Sequence, residues 1–340
     1  MTQQQTLMTA PPMPAEPEAR PDLKHLVSRF LRMRETGLIL ILLVLVVAMS
    51  FASPHFLTLA NIEAMAMVFA VEGIVVVGMT ILLISGGIDL SVGSVTALSM
   101  VLAGWLYLQG IDPRLASGIA ILASIATGAV MGVLVTKVGL NHFVVTLAVM
   151  VIARGVCLLL TGGRPLGLYS LPSEFKFIGQ GSIGPIPLVI VIFLVVVIAF
   201  DFMLRRTTAF RKVFYTGSNE KAAAYSGIRT KHAIFFTTVL CSALAGVAGI
   251  IYMARFGSAQ PTFGIGMELN VIAAAVIGGA SLKGGSGTIF GATLGAILLS
   301  VVSSSLTLLD VSVYWQDIVR GSILLVALLV DHYLSRRRTV

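Results

Sequence analysis

AMAMVFAVEGIVVVGMTILLIS, residues 64–85, carries a single charge, Glu72, in an otherwise apolar run. Coiled as a helix, it spans the roughly 30 Å of bilayer hydrocarbon, for which about 20 consecutive apolar residues are needed. On either side of it, comparable stretches recur at about 37–53, 91–110, 115–136, 143–161, 186–204, 231–254, 268–280, 288–308 and 317–334. The pattern predicts an all-α, polytopic membrane bundle of about ten transmembrane helices. The stretch at 268–280 is short for a simple crossing. Glycine-rich sequence beside it and just before residue 91 predicts broken or re-entrant segments, which membrane depth tolerates only where protein or water satisfies the freed backbone groups.

Composition excludes the soluble classes. Of 340 residues 57% are hydrophobic and 11% charged, whereas a soluble domain carries roughly 25% charged residues; the mean hydropathy is +0.97. A net charge of +8 fits either a nucleic-acid partner or the basic inner loops of a membrane protein, and distribution decides between them. With the N-terminus inside, the 23 Lys and Arg fall on the inner side except Arg114, Arg154, Arg164, Lys176, Arg255 and Arg320. The inner set includes Lys137, the loop from Arg205 to Lys231, Lys283 and Arg336-Arg337-Arg338. The expectation is therefore N-in and C-in, with membrane lipid and no nucleic acid as partners. Trp105 and Trp315 fall at predicted outer ends, where anchoring at the interface competes with sugar stacking as their role.

Residues 1–22 are polar and Pro-rich and are expected to form a disordered tail, leaving 23–340 as one membrane domain. The first apolar segment starts only near Leu38, after Arg29, Arg32 and Arg34, and lacks a cleavage pattern, so it reads as an uncleaved span. Cys157 and Cys241 lie inside apolar stretches and are expected to be small core hydrophobes.

The largest inner loop, about 205–230, holds a short helix with both ends marked. Ser218 or Asn219 can cap it, Glu220 suits the positive end of its dipole, alanines propagate it, and Gly227 can take the left-handed closing conformation. Two to three turns are too few to stand alone. Such a helix either rests on the membrane surface or docks into a soluble partner, with Ala222, Ala223 and Ser226 as a close-approach face and Tyr225 and Ile228 as apolar anchors.

The pattern Gly217-x-Asn219-x-x-Ala222-Ala223-x-x-Ser226-Gly227-Ile228 resembles the coupling loop of ribose-type ABC permeases. Gly86-Gly87-Ile88-Asp89-Leu90-Ser91-Val92-Gly93-Ser94, Thr146-Leu147-Ala148 with Arg154-Gly155, and Thr161-Gly162-Gly163 are similar to that family too. So are Gly266-x-Glu268-Leu269 and the run from Val276 through Gly278-Gly279-Ala280-Ser281 to Gly284-Gly285-x-Gly287-Thr288-Ile289, and the likeness extends over about 37–335. Two departures stand out: Ser304-Ser305 where such permeases often carry Asn-Gly, and Asp310 where glycine is common.

The resemblance implies the transmembrane permease subunit of a bacterial inner-membrane importer for a monosaccharide or sugar-like polyol. It implies a second permease copy, a homodimer being simpler than a paralogue pair, and two ATP-binding subunits or one tandem ATPase holding ATP and Mg. A periplasmic sugar-binding protein would deliver the solute. Gly217, Asn219, Glu220, Ala222, Ala223, Ser226, Gly227 and Ile228 are the candidates for ATPase coupling. Gly86, Gly87, Asp89, Ser91, Gly93, Arg154, Gly278, Gly279, Ser281, Gly284 and Gly285 are the candidates for translocation or gating.

Individual polar residues keep structural readings beside functional ones. Asp89 can cap the following helix or gate by pairing with a base. Ser91, Ser94 and Ser281 can bond across helices. Arg154 can pair with Glu72, snorkel, or line the path, and Asp317 can pair with Arg320 at helical spacing. The chain shows neither an acidic relay, as an ion-coupled carrier would use, nor a phosphate-binding Gly-x-x-x-x-Gly-Lys-Ser/Thr loop. Nor does it show a catalytic or metal-binding constellation, its five histidines being scattered near span ends. An ion-coupled carrier or channel is the rival reading, a membrane enzyme the third, and neither catalysis nor a cofactor is expected on this chain.

Overall fold

The second half of helix α2, Leu59–Ile84, is apolar on every face, and from Gly73 to Ile84 every residue is buried. A helix of that kind belongs at the centre of a bundle, and α2 lies there in a computed structural model that describes residues 34–337. The tail expected over 1–22, the basic residues before Arg34 and the side chains of Arg336-Arg337-Arg338 lie outside what is described. Before α2 comes α1 (Arg34–Ala52), and after it α3 (Val92–Leu108), α4 (Pro113–Val133, prolonged by a π turn Leu134–Val138) and α5 (His142–Thr161). A loop with α6 (Ser173–Gln180) leads to α7 (Leu188–Arg206), then α8 (Thr208–Ser218), α9 (Glu220–Tyr225) and α10 (Thr230–Phe256). The chain closes with α11 (Met267–Ile277), α12 (Ile289–Leu308) and α13 (Val313–Arg337). The only strands among the described residues are two-residue pairs: β1 (Leu166–Gly167) antiparallel to β4 (Ser258–Ala259), and β2 (Ser182–Ile183) antiparallel to β3 (Ile186–Pro187).

Each of the ten expected segments is helical, and seven helices among the described residues are long and apolar enough to cross a membrane. The deviations are informative. Sequence 268–280 gives an α11 that stops at Ile277, so 278–280 belong to an irregular loop. At about 1.5 Å per residue its eleven residues cover about 16 Å, half a bilayer. The segment at 91–110 yields 17 helical residues.

Around α2, helix α10 forms the second pillar, packed on α2, α3, α4, α6 and α8, while α11 and α12 lie on the other flank of α2. In lipid, helices gain little by burying oil against oil, so small residues that admit close backbone approach must supply the packing. They do: a Cβ on Gly128 would sit 2.8 Å from Ser242, one on Gly246 2.7 Å from Ser124, and Ser99 Oγ donates to the Gly246 carbonyl at 2.8 Å. By contrast α1 touches chiefly α12 and exposes Leu40, Leu43 and Val44, the profile of a lipid-facing rim helix.

Candidate functional site

Two features position the site, and the first is the pair of chain breaks flanking the short helices. After Ile84 the chain turns at Gly86 (φ +88°) and runs irregularly to α3 through buried surroundings, so its polar groups must be met by neighbours. Ser85 Oγ lies 3.0 Å from Thr237 Oγ1 on α10. His142 Nδ1 donates to the Ile88 carbonyl at 2.7 Å, and its Nε2 lies 3.0 Å from Thr238 Oγ1. Asp89, fully buried, accepts from the Ser91 amide at 2.7 Å and from Ser91 Oγ at 2.6 Å. This is a turn closed on Ser91 just before α3 and not the expected cap, since no amide of α3 bonds a side chain there, and the other oxygen of Asp89 has no partner among the described residues. Ser91 reaches across to Met131 Sδ at 3.5 Å, whereas Ser281 bonds only locally, to the Lys283 amide.

The second break, 257–266, carries β4 and meets the first. The backbones of Gly93 and Gly264 touch so closely that a Cβ on Gly93 would overlap the Gly264 carbonyl, and Glu268 Oε2 would stand 2.9 Å from that Cβ. The starts of α3 and α11 are thus brought together, with a carboxylate beside the amide-rich end of α3, where negative charge is favoured. Arg154 does not pair with Glu72. Its Nη1 donates to the carbonyls of Pro261 (2.5 Å) and Phe263 (2.8 Å), binding the second break to α5. The reason is reach: Pro261 and Phe263 sit beside α5, while Glu72 faces a cavity on another flank. Asp317 and Arg320 do pair, at 3.3 Å.

The second feature is the loop after α7. An unexpected amphipathic helix, α8, buries Phe210, Val213 and Thr216 and sets Phe210 edge-on to Phe236 of α10. Because α8 runs through Ser218, the cap of α9 is Asn219, whose Oδ1 accepts from the Ala222 amide at 3.0 Å. At the far end the Gly227 amide donates to Ala224 and the Ile228 amide to Ala223, both at 3.0 Å, with Gly227 at φ +81°. This is a Schellman closure. The helix is six residues, shorter than the expected two to three turns. Ala223 is buried against its own chain, while Tyr225 is 92% exposed. Beside α9 a groove of about 370 Å³ is lined by Tyr215, Ser218, Asn219, Ala222, Ala223, Ser226 and Ile228.

This loop is joined to the first break at a point made of glycines. A Cβ on Gly217 would strike the Ile84 carbonyl and come within 2.6 Å of the Gly285 amide, which itself donates to Ile84 at 2.9 Å. Gly284 and Gly285 (φ +85° and +75°) in turn press on Gly217 and Ser218. Three backbones, those of the loop, the end of α2 and the 278–288 segment, meet without side chains between them. Gly278, by comparison, packs on Gly291 and Ala292, and Gly279 completes the turn after α11. Gly87 packs against Leu82 and His142.

At the opposite end of α2 lies a cavity of about 360 Å³ that residue-type reasoning did not assemble. Asn61, Val68 and Glu72 of α2, Asn270 of α11, Ser300, Ser303, Ser304 and Thr307 of α12, and Gln316 and Arg320 of α13 line it. The signal was present: these residues recur at three- and four-residue intervals, which places them on one face of each helix. Of the residues singled out by sequence, only Glu72, Arg320 and the Ser304 departure fall here; Arg154 does not. Asp310, the other departure, is the one non-glycine residue at positive φ (+54°) among those described.

The comparisons with known proteins accord with this architecture. The family model described as "Branched-chain amino acid transport system / permease component" matches residues 61–328. The ribose import permease protein RbsC of Escherichia coli K12 is 39% identical over 86% of this chain and 91% of its own length. Its counterpart in Bacillus subtilis is 36% identical over 88% and 93%, and the D-allose transport system permease protein AlsC of E. coli K12 is 33% identical over 88% and 92%. No solved structure matches. A match over most of the chain, carried by helices that can cross a membrane several times, establishes a multi-pass protein of the bacterial inner membrane that belongs to the permease-component family of ABC transport systems.

Proposed function

We propose that this chain forms the membrane path of an ATP-driven importer for a monosaccharide or sugar-like polyol, with hydrolysis of ATP, and the Mg it requires, on a separate partner subunit. The observation that carries the reading is the glycine contact of Gly217, Ile84 and Gly285. It ties a doubly capped, protruding helix directly to the core helix and to the loop that follows α11. The named relatives supply the solute class, since proteins similar to this chain include ribose, D-allose and L-arabinose permeases.

In this reading α9 and its groove face the cytoplasm and seat on the ATPase, Asn219, Glu220 and Gly227 keeping the helix formed. Closure of the ATPase on nucleotide displaces α9. With no side chain at Gly217 to yield, the displacement passes to Ile84 and Gly285 and from there to the two breaks. Because the starts of α3 and α11 touch at Gly93 and Gly264, the half-helices move together, and this coupled motion opens or closes the path. A second copy of the chain completes the path, and a periplasmic binding protein delivers solute to the opposite face, where α6 and the Arg114–Glu174 pair (2.6 Å) lie.

Ala222→Trp tests the docking surface, since Ala222 is exposed in the groove while Ala223 is not. The variant should insert normally and lose both co-purification of the ATPase and ATP-driven uptake; normal uptake would refute the docking role. A tag at residue 220 should react with impermeant reagents only from the cytoplasmic side, and periplasmic reactivity would overturn the orientation. Undiminished uptake by an ion gradient with the ATPase absent would hand the case to a secondary carrier.

A further inference from the structure

We propose that the cavity between α2, α11, α12 and α13 is a binding subsite for one neutral polyhydroxylated solute, with Glu72 accepting from its hydroxyls and Asn270 and Arg320 donating to them. The proposal rests on the transport reading above and assigns the chemical class of solute from this chain's own side chains.

The volume is the first argument. About 360 Å³ lies near the lower end of the roughly 300–1,000 Å³ typical of small-molecule sites, fitting a monosaccharide with a few waters rather than a disaccharide or a peptide.

Unspent hydrogen-bonding capacity is the second. Glu72 stands well inside a membrane-spanning helix, where an ionisable group is costly and requires a partner or water. No hydrogen bond to it is found among the described residues, where Arg320 across the cavity is the charge that acts on it, and the Asn270 side chain has no hydrogen bond there either. Arg320, with five N–H donors, spends them on two long contacts, Asp317 at 3.3 Å and Ser303 Oγ at 3.4 Å. Ser304, in contrast, is engaged, donating to Asn61 Oδ1 at 3.0 Å.

The mixture of signs is the third. A hydroxyl donates and accepts at one atom, so a polyol satisfies Glu72, Asn270 and Arg320 together. An anion would be repelled by Glu72 and a cation by Arg320. A zwitterionic amino acid could pair with both charges, but its aliphatic side chain would be set against the hydroxyl face of α12, leaving those groups unmet. Between the polar groups, Met65, Val68 and Leu299 offer apolar wall to the C–H faces of a sugar ring.

The test uses the full-length chain carrying Ser304→Cys, in membrane vesicles, labelled with a small impermeant thiol reagent. Native Cys157 and Cys241 are fully buried, so the label reports position 304. Labelling should proceed without solute, slow several-fold with D-ribose or ribitol, and be unaffected by leucine. Adding Glu72→Leu should remove the protection, and the better-tolerated Glu72→Gln, which keeps an acceptor, should retain part of it. Four results would each overturn the subsite: no labelling at 304, equal labelling with and without polyol, stronger protection by leucine, or protection that survives Glu72→Leu in a well-folded sample. The readout needs no ATPase. Protection accompanied by ATPase-independent uptake would leave the subsite standing and sink the ATP-driven reading, whereas ATP-driven uptake without protection would do the reverse.

Discussion

The two ends of α2 are built on opposite principles. From Gly73 to Ile84 the helix is sealed on all sides, and at its last carbonyl the backbone meets two others with no side chain between them. From Asn61 to Glu72 the same helix opens on a cavity lined by amides, hydroxyls, a carboxylate and a guanidinium. Close-packed interiors transmit displacement because there is no space to absorb it, while cavities accept ligands and tolerate change. One helix thus carries a stiff end, joined to the loop that bears α9, and a roomy end that opens on the cavity.

That contrast predicts different responses to added bulk. Gly217→Val should have the largest effect, since its Cβ would collide with Ile84 and Gly285. Overpacking of this kind costs about 1–3 kcal/mol, and thermal unfolding of the purified complex should shift accordingly while ATP-driven uptake falls to background. A stable Gly217→Val protein with normal uptake would erase the distinction between the ends. Asn219→Ala should have a middling effect, removing a helix cap worth about 1 kcal/mol. Global stability should change little, because only α9 frays, but ATPase activity should become less responsive to solute delivery. Ala64→Val adds its methyls at the open end, beside the cavity, and should change stability by no more than about 0.5 kcal/mol; a drop as large as that of Gly217→Val would mean the open end is as tightly packed as the closed one.

Much of this molecule was legible from its residues, because the bilayer imposes length and hydropathy on every crossing. The helices at 59–84, 142–161, 230–256 and 289–308 follow directly from apolar runs of sufficient length. The capped helix after Asn219, the first break at Gly86 and the glycine loop from Gly278 were likewise visible in local chemistry, since caps and glycines act within a few residues of themselves, whereas the second break at 257–266 was not. Contacts between distant segments were not. That Arg154 would bind the Pro261 and Phe263 carbonyls, that His142 would hold Ile88, and that Gly217 would meet Gly285 all depend on how helices stack, which the period of one helix does not encode. The cavity was missed for a related reason. Asn61, Asn270, Ser303 and Gln316 are unremarked one by one, and only their convergence from four helices makes them a site. Helix α8 was hidden by its charges, Arg211 and Lys212 masking the face formed by Phe210, Val213 and Thr216.

The double capping of α9 has a thermodynamic corollary. Six residues in isolation would not hold a helical turn in water, and a partner recognising them would have to supply the ordering entropy out of its own contacts. Here Asn219 at one end and the Gly227 closure at the other have already fixed the conformation. The helix is therefore preorganised, so that in the docking role proposed for it recognition would be reversible and fast without being weak.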